Sequence, residues 1–274
     1  MAINQIGKVE GLGDIYQSVG DLTTNILAFA SVGIQHPYLA SPNEVAQIRL
    51  ADLSNDWSRI SMAPFKVKGE KTVIYRVSPF MDLLMASVIV KAHKEGKYPE
   101  LPDAVYDCVK QLALNQRGCE PEDRDSIILS QDGDFQLTSD MEETRFILRK
   151  FAKQYFNKFG HSSITLYNLP DEKSSKGNCF ANYAWFGRPE GVSGLVLSYR
   201  GLDGSGQAFG VLRSGAEGGA EPQKNLGYSL TEIRNSSDEI VKTILEKTGF
   251  GGAVDIVKGP LTKGLLGKLR DRTN

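Results

Sequence analysis

The stretch DIYQSVGDLTTNILAFASV (residues 14–32) decides how the chain is read. Ile15, Val19, Leu22, Ile26 and Phe29 recur every three or four residues, the spacing that gathers apolar side chains on one face of a helix. The pattern predicts one amphipathic helix over 14–32, although Gly20 inside it lowers helix propensity. Helix signals continue downstream. SPNE (41–44) is a capping box with Pro42 at the first helical position, so a helix from Pro42 to about Leu53 should follow. KVKGEKTVIYRVS (66–78) reads as a hairpin turning near Gly69. Ser78 and Pro79 open the next helix and Gly96 closes it, and its stretch FMDLLMASVIV (80–90) is apolar nearly all round. Pro102 opens another helix, with Val105, Val109 and Leu112 on one face and Gly118 as its stop.

The texture then shifts. DSIILSQDGDFQLTS (125–139) predicts two short strands about the turn Asp132-Gly133. SDME (139–142) is a second capping box and starts a helix through TRFILRKFAKQYFNKFG (144–160). After Gly160, SSITLYNL, NCFANYAWF, SGLVLSYRG and QAFGVLR read as strands separated by Gly-rich turns. SGAEGGAEPQKN (214–225) is a Gly-rich loop, GYSLTEIR (227–234) one more strand, and a helix capped at Ser236 or Ser237 ends at Gly249. The expected class is therefore α+β: a helix-rich N-terminal half followed by an antiparallel β sheet with Gly-rich turns and packed helices. The matching division is a helix-rich region over 1–120 with a hairpin near 60–78, an α+β region over 121–250 and a basic tail over 251–274, all compatible with one continuous domain.

Composition narrows the class. A chain of 274 residues, 41% apolar and 24% charged, suits a globular protein of one large or two small domains. A net charge of −1 argues against a wholly basic nucleic-acid coat, so any polyanion binding must come from local patches. Cys108, Cys119 and Cys179 form no CxxC pair, which suggests reduced thiols. The first residues lack the apolar core of a signal peptide, and the longest apolar run, Leu83 to Val90, is too short to span a bilayer. The expectation is a soluble, cytoplasmic protein without membrane contact.

The helix over 144–160 carries the functional question. Thr144, Ile147, Leu148, Phe151, Ala152, Tyr155 and Phe159 fall on one face, and Arg145, Arg149, Lys150, Lys153 and Lys158 mostly on the other. A core helix with a wet face explains this pattern. The same cations, with Arg188, would also neutralise phosphates, and each such contact steepens salt dependence. In NCFANYAWFGR (178–188), Cys179, Ala181, Tyr183 and Trp185 share one side of a strand. If exposed, Tyr183 and Trp185 would stack bases of a single strand; if buried, they are core.

Other constellations are thin. Asp132, Asp134, Gln136, Asp140 and Glu143 match liganding positions of a calcium loop, but Leu137 stands where its turn needs Gly. His36, His93 and His161 are single and scattered, so no zinc pattern arises. GLDGSGQAFG (201–210) and GPLTKG (259–264) lack phosphate-loop spacing. No stretch resembles a known family closely enough to name one. The leading expectation is a non-enzymatic binding protein. It would hold single-stranded nucleic acid through Arg145, Arg149, Lys150, Lys153, Lys158 and Arg188, with Tyr183 and Trp185 stacking, and no catalytic residue, metal or cofactor. The alternative is a subunit of a homo-oligomer joined through the N-terminal helix, the leucine-bearing basic tail and the Gly-rich 214–227 arm. A third reading is an enzyme of unrecognised class using Cys179, His161 or an acidic pair.

Overall fold

The computed structural model describes residues 3–34, 38–76, 86–98, 100–171, 178–189, 194–198 and 201–213. In chain order these form β1 (Ile3–Val9), β2 (Gly13–Gly20), α1 (Leu22–Ser31), α2 (Pro42–Leu50), β3 (Ser58–Arg59), β4 (Ala63–Val67), β5 (Val73–Tyr75) and α3 (Ala86–Lys94). Next come β6 (Glu100–Pro102), α4 (Asp103–Asn115), β7 (Ser126–Ile128), β8 (Phe135–Leu137), α5 (Glu142–Leu148) and α6 (Ala152–Phe159). The last are β9 (Ile164–Tyr167), β10 (Asn178–Ala181), β11 (Trp185–Phe186), β12 (Gly194–Val196) and β13 (Gly206–Leu212). The expected strand at 227–234, the helix after Ser236 and the basic tail lie outside the described residues.

The opening stretch does not form one helix. Residues 13–20 are strand β2, paired with β1 on one side and β13 on the other. Ile15 and Ser18 are buried, whereas Val19 is 53% exposed, although a helix would have put it on the apolar face with Ile15. Asp21 then starts α1, its side chain accepting from the Thr24 amide at 2.6 Å. A short aspartate before a helix satisfies an orphan N–H there. The helix-rich N-terminal half is thereby overturned: β1–β6 all precede α4, and the framework is two β sheets carrying short helices.

One sheet has eight strands in the order β1-β2-β13-β3-β11-β12-β9-β8, and the other five in the order β6-β10-β4-β5-β7. Each draws strands from both sides of residue 120. The chain passes between them repeatedly. β7 pairs with β5 in the smaller sheet while β8 pairs with β9 in the larger, so Asp132-Gly133 joins two sheets and does not turn a hairpin. NCFANYAWF divides in the same way, into β10 in the smaller sheet and β11 in the larger. Its crossing, 182–184, lies against the crossing from β3 to β4. The Asn182 amide donates to the Pro64 carbonyl at 3.2 Å, Ala184 to Met62 at 3.0 Å, and Ile60 to Ala184 at 3.1 Å.

Several local signals hold. The Ser41–Glu44 capping box forms, with the Ser41 amide donating to Glu44 at 2.7 Å. β4 and β5 make the hairpin about Gly69, whose φ of +80° suits a residue without Cβ. Val105 and Val109 on α4 face inward. SDME makes no capping box: Met141 is the N-cap and its side chain accepts no bond from the first turn of the helix. The helix over 144–160 breaks into α5 and α6 at a tight turn, Arg149–Phe151. Phe29, Phe65, Phe146, Phe186 and Phe209 are fully enclosed. Burying each ring contributes about 2–3 kcal/mol.

Candidate functional site

Lys66 lies in APFKV, a strand with both faces covered, and its side chain is 2% exposed. Its stem runs through the smaller sheet and its ammonium ends at a groove of about 930 Å³. The turn at Gly133, with φ +72°, brings Asp132 to the rim. The segment after β9 brings Asp171. Lys66 Nζ is 3.4 Å from Asp132 Oδ1 and 3.7 Å from Asp171 Oδ1. Both exceed the ~2.8 Å of a charge-assisted hydrogen bond. An ammonium has three N–H donors, and among the described residues only the long contact to Asp132 receives one.

The surrounding groups are fixed. The Gly69 amide donates to Asp171 Oδ1 at 2.9 Å, and the Asn168 amide to Asp134 Oδ1 at 2.8 Å. Asn168 Oδ1 accepts from Thr72 Oγ1 at 2.7 Å, holding the segment to β5. The Tyr98 hydroxyl donates to the Ser198 carbonyl, closing one end. At the rim Lys110 pairs with Glu70 at 2.7 Å. Leu169, Pro170 and Val196 supply an apolar wall. The result is a concave surface with a buried cation below exposed carboxylates.

The residues singled out from the sequence do not converge on such a surface. Arg145 is held by Glu122 at 2.8 Å and Glu120 at 2.7 Å. Those bonds raise the arginine's pKa and hold the Glu122 carboxyl below its ordinary range. Lys158 donates to Asp52 at 2.6 Å and to the Leu50 carbonyl at 2.8 Å, and Arg188 pairs with Asp56 at 3.0 Å. Arg149, Lys150 and Lys153 are exposed and make no ion pair among the described residues. Arg149 has φ +52°, an uncommon conformation for a side-chain-bearing residue. Tyr183 is fully buried and Trp185 is 7% exposed, with the Arg59 guanidinium 4.8 Å over its ring. The expected stacking by these two rings is corrected: both pack in the core, Trp185 from β11 and Tyr183 from the crossing just before it.

The remaining candidates also separate. Asp132 and Asp134 face the groove, Gln136 bonds Thr165, Asp140 accepts from Thr138, and Glu143 accepts from the Ser130 amide, so the calcium-loop spacing does not close around one point. Among the described residues no group of three or more His, Cys, Asp or Glu could hold a metal ion. Cys179 is enclosed in β10, where burial pushes its thiol up and away from a reactive thiolate. His161 sits among Tyr155, Phe156 and Phe159, and burial lowers its pKa. His36 lies outside the described residues. On α1, Leu22, Ile26 and Phe29 are spent inside the protein's own core. Among the described residues no helix is long and apolar enough to cross a membrane.

No protein-family model and no curated protein matches the chain. A solved structure does, from work on the accommodation of massive sequence variation in Nanoarchaeota by the C-type lectin fold. The TM-score is 0.52 at 13% identity, covering 75% of this chain and 100% of that one. The chain resembles the C-type lectin fold. At this identity the likeness concerns architecture alone. In this C-type-lectin-like frame, the groove is bounded by connecting segments from both sheets.

Sequence reasoning passed over Lys66. Its signal was present, since a charged residue between Phe65 and Val67 in a strand covered on both faces needs a destination for its charge.

Proposed function

We propose that the protein is a non-enzymatic binding module whose ligand sits in the Lys66 groove. One observation carries the reading. A buried ammonium, whose donors are not all taken up among the described residues, lines a concave surface that also has an apolar wall and exposed carboxylates. Function placed on connecting segments above a rigid sheet frame also suits a fold reported, for the similar Nanoarchaeota protein, to accommodate massive sequence variation. The test is a thermal-shift screen of amino acids, short peptides, polyols and a single-stranded oligonucleotide, repeated on Lys66→Met. The expected result is a stabilising ligand whose effect disappears in Lys66→Met and survives in Lys150→Glu/Lys153→Glu. A screen without stabilising ligands, or one whose hits survive Lys66→Met, defeats the proposal.

A second reading keeps the nucleic-acid expectation on a smaller surface. Arg149, Lys150 and Lys153 are exposed together at the α5–α6 corner without carboxylate partners among the described residues. Low-salt retention of a single-stranded oligonucleotide that is lost on Arg149→Glu/Lys153→Glu would support it.

A further inference from the structure

Arg149 is a poor fit to its own turn. Its φ of +52° and ψ of −139° suit a residue without Cβ. At most of the described positive-φ positions the chain places glycine, Gly133 and Gly160 among them. Two described residues with a Cβ depart from this, Asp52 and Arg149. Asp52 is held by Lys158 at 2.6 Å. The Arg149 side chain is exposed and makes no hydrogen bond or ion pair among the described residues. Charge adds to the misfit. Arg76, 4% exposed, lies near enough to be repelled: burial first, and then the Arg149 charge, push Arg76 down to about 9. Lys150, next in sequence, and Lys153, one turn on, are exposed and make no ion pair among the described residues either. The acids nearby are engaged elsewhere. Glu122 bonds Arg145 at 2.8 Å and Asp125 accepts from Gln116 at 3.0 Å. Asp140 accepts from Thr138 at 2.7 Å and feels the Lys153 charge without pairing with it.

Arg149 thus weakens the fold through backbone strain and like-charge repulsion, and no contact of its side chain among the described residues offsets either. The group that offsets them is an anion from outside. A carboxylate is planar and is matched by one guanidinium. A phosphate presents oxygens on several sides, so an arginine and two lysines can approach it together. We infer that the α5–α6 corner binds a phosphate group, with Arg149 as the contact residue carried by the strained turn and Lys150 and Lys153 beside it. This deepens the corner reading given above and rests on it. The phosphate belongs to the backbone of a single-stranded nucleic acid or arrives as a free ion.

The experiment is fluorescence anisotropy of the full chain at low salt with a labelled oligothymidylate, alongside thermal unfolding of the same samples. Competitors are inorganic phosphate and a glutamate-rich peptide, each against sodium chloride of equal ionic strength. Arg149→Gly and Arg149→Gln should each weaken oligonucleotide binding at least about fivefold. Each should also flatten the slope of log affinity against log salt by about 0.7. Arg149→Gly should raise the unfolding midpoint by about 2–4 °C because the strain is gone, and Arg149→Gln, which keeps the Cβ, by less. Competition by inorganic phosphate assigns the source as a free ion; oligonucleotide binding that resists it assigns the backbone of a strand. Equal competition by the glutamate-rich peptide overturns the phosphate assignment. Binding lost in Arg149→Glu/Lys153→Glu but unchanged in Arg149→Gly and Arg149→Gln overturns this inference and leaves the corner reading standing. A midpoint that Arg149→Gly does not raise has the same consequence. No binding of any probe overturns both.

Discussion

Two regions of the molecule hold positive charge in opposite ways. In the interior, Arg49 and Arg59 have no solvent exposure and Arg76 only 4%. Each lies over an aromatic ring, Phe186, Trp185 and Phe146 respectively, and each donates to backbone carbonyls. Arg49 reaches Asp56 at 2.8 Å and Phe186 at 3.0 Å; Arg59 reaches Gly20, Gly201 at 3.1 Å and Gly204 at 2.8 Å; Arg76 reaches Glu122 at 2.8 Å. Burial lowers Arg49 and pushes Arg76 down to about 9. On α5 and α6 the cations lie toward the surface, where Arg145 pairs with Glu120 and Glu122 and Lys158 with Asp52 and the Leu50 carbonyl. A guanidinium surrounded by carbonyls works as a cross-link between segments remote in sequence, whereas one in water contributes little to stability.

The contrast breaks first at Arg59. Arg59→Ala leaves three carbonyls without their donor and opens the face of Trp185, and should lower stability by about 4 kcal/mol in urea unfolding. A loss below about 1 kcal/mol would show that the carbonyls find other donors and that the interior arginines are not cross-links. Arg145→Ala comes next, with a smaller expected loss because its ion pairs stand in solvent. Its pH dependence sharpens the point. The folded Glu122 pKa lies below its ordinary 4.5, so the contribution is complete above that pH and is lost as pH falls through the depressed value. Wild type and Arg145→Ala should therefore differ at neutral pH and converge in acid. The smallest effect belongs to Lys150→Glu/Lys153→Glu, within about 0.5 kcal/mol of wild type by thermal unfolding. A larger loss would mean that this corner is bound into the fold.

Where a feature depends on neighbours in sequence, the residues announce it. The Ser41–Glu44 cap, the hairpin at Gly69 and the inner face of α4 are of this kind. The failures come where distant pairing decides. Ile15, Val19, Leu22, Ile26 and Phe29 fit a helical period, but β2 is a strand because β1 and β13 supply hydrogen bonds on both edges. Asp21, a strong N-cap residue in the middle of the stretch, was the local clue. SIIL and FQL looked like partners because two residues, Asp132 and Gly133, sit between polar flanks; each instead pairs with a strand of another sheet. For the groove, the single legible sign was a lysine inside an apolar strand. Its carboxylates come from positions 132 and 171, and only the folded topology brings them beside residue 66.

The paired crossings at 60–62 and 182–184 have a mechanical consequence. Each is the route by which the chain leaves one sheet for the other, and the two are stitched together by main-chain bonds. Neither sheet can peel away while the other stays intact, because the seam shared by both would have to rip at once. The molecule should therefore yield to load as one body, with the Lys66 groove lost only when the shared seam gives way.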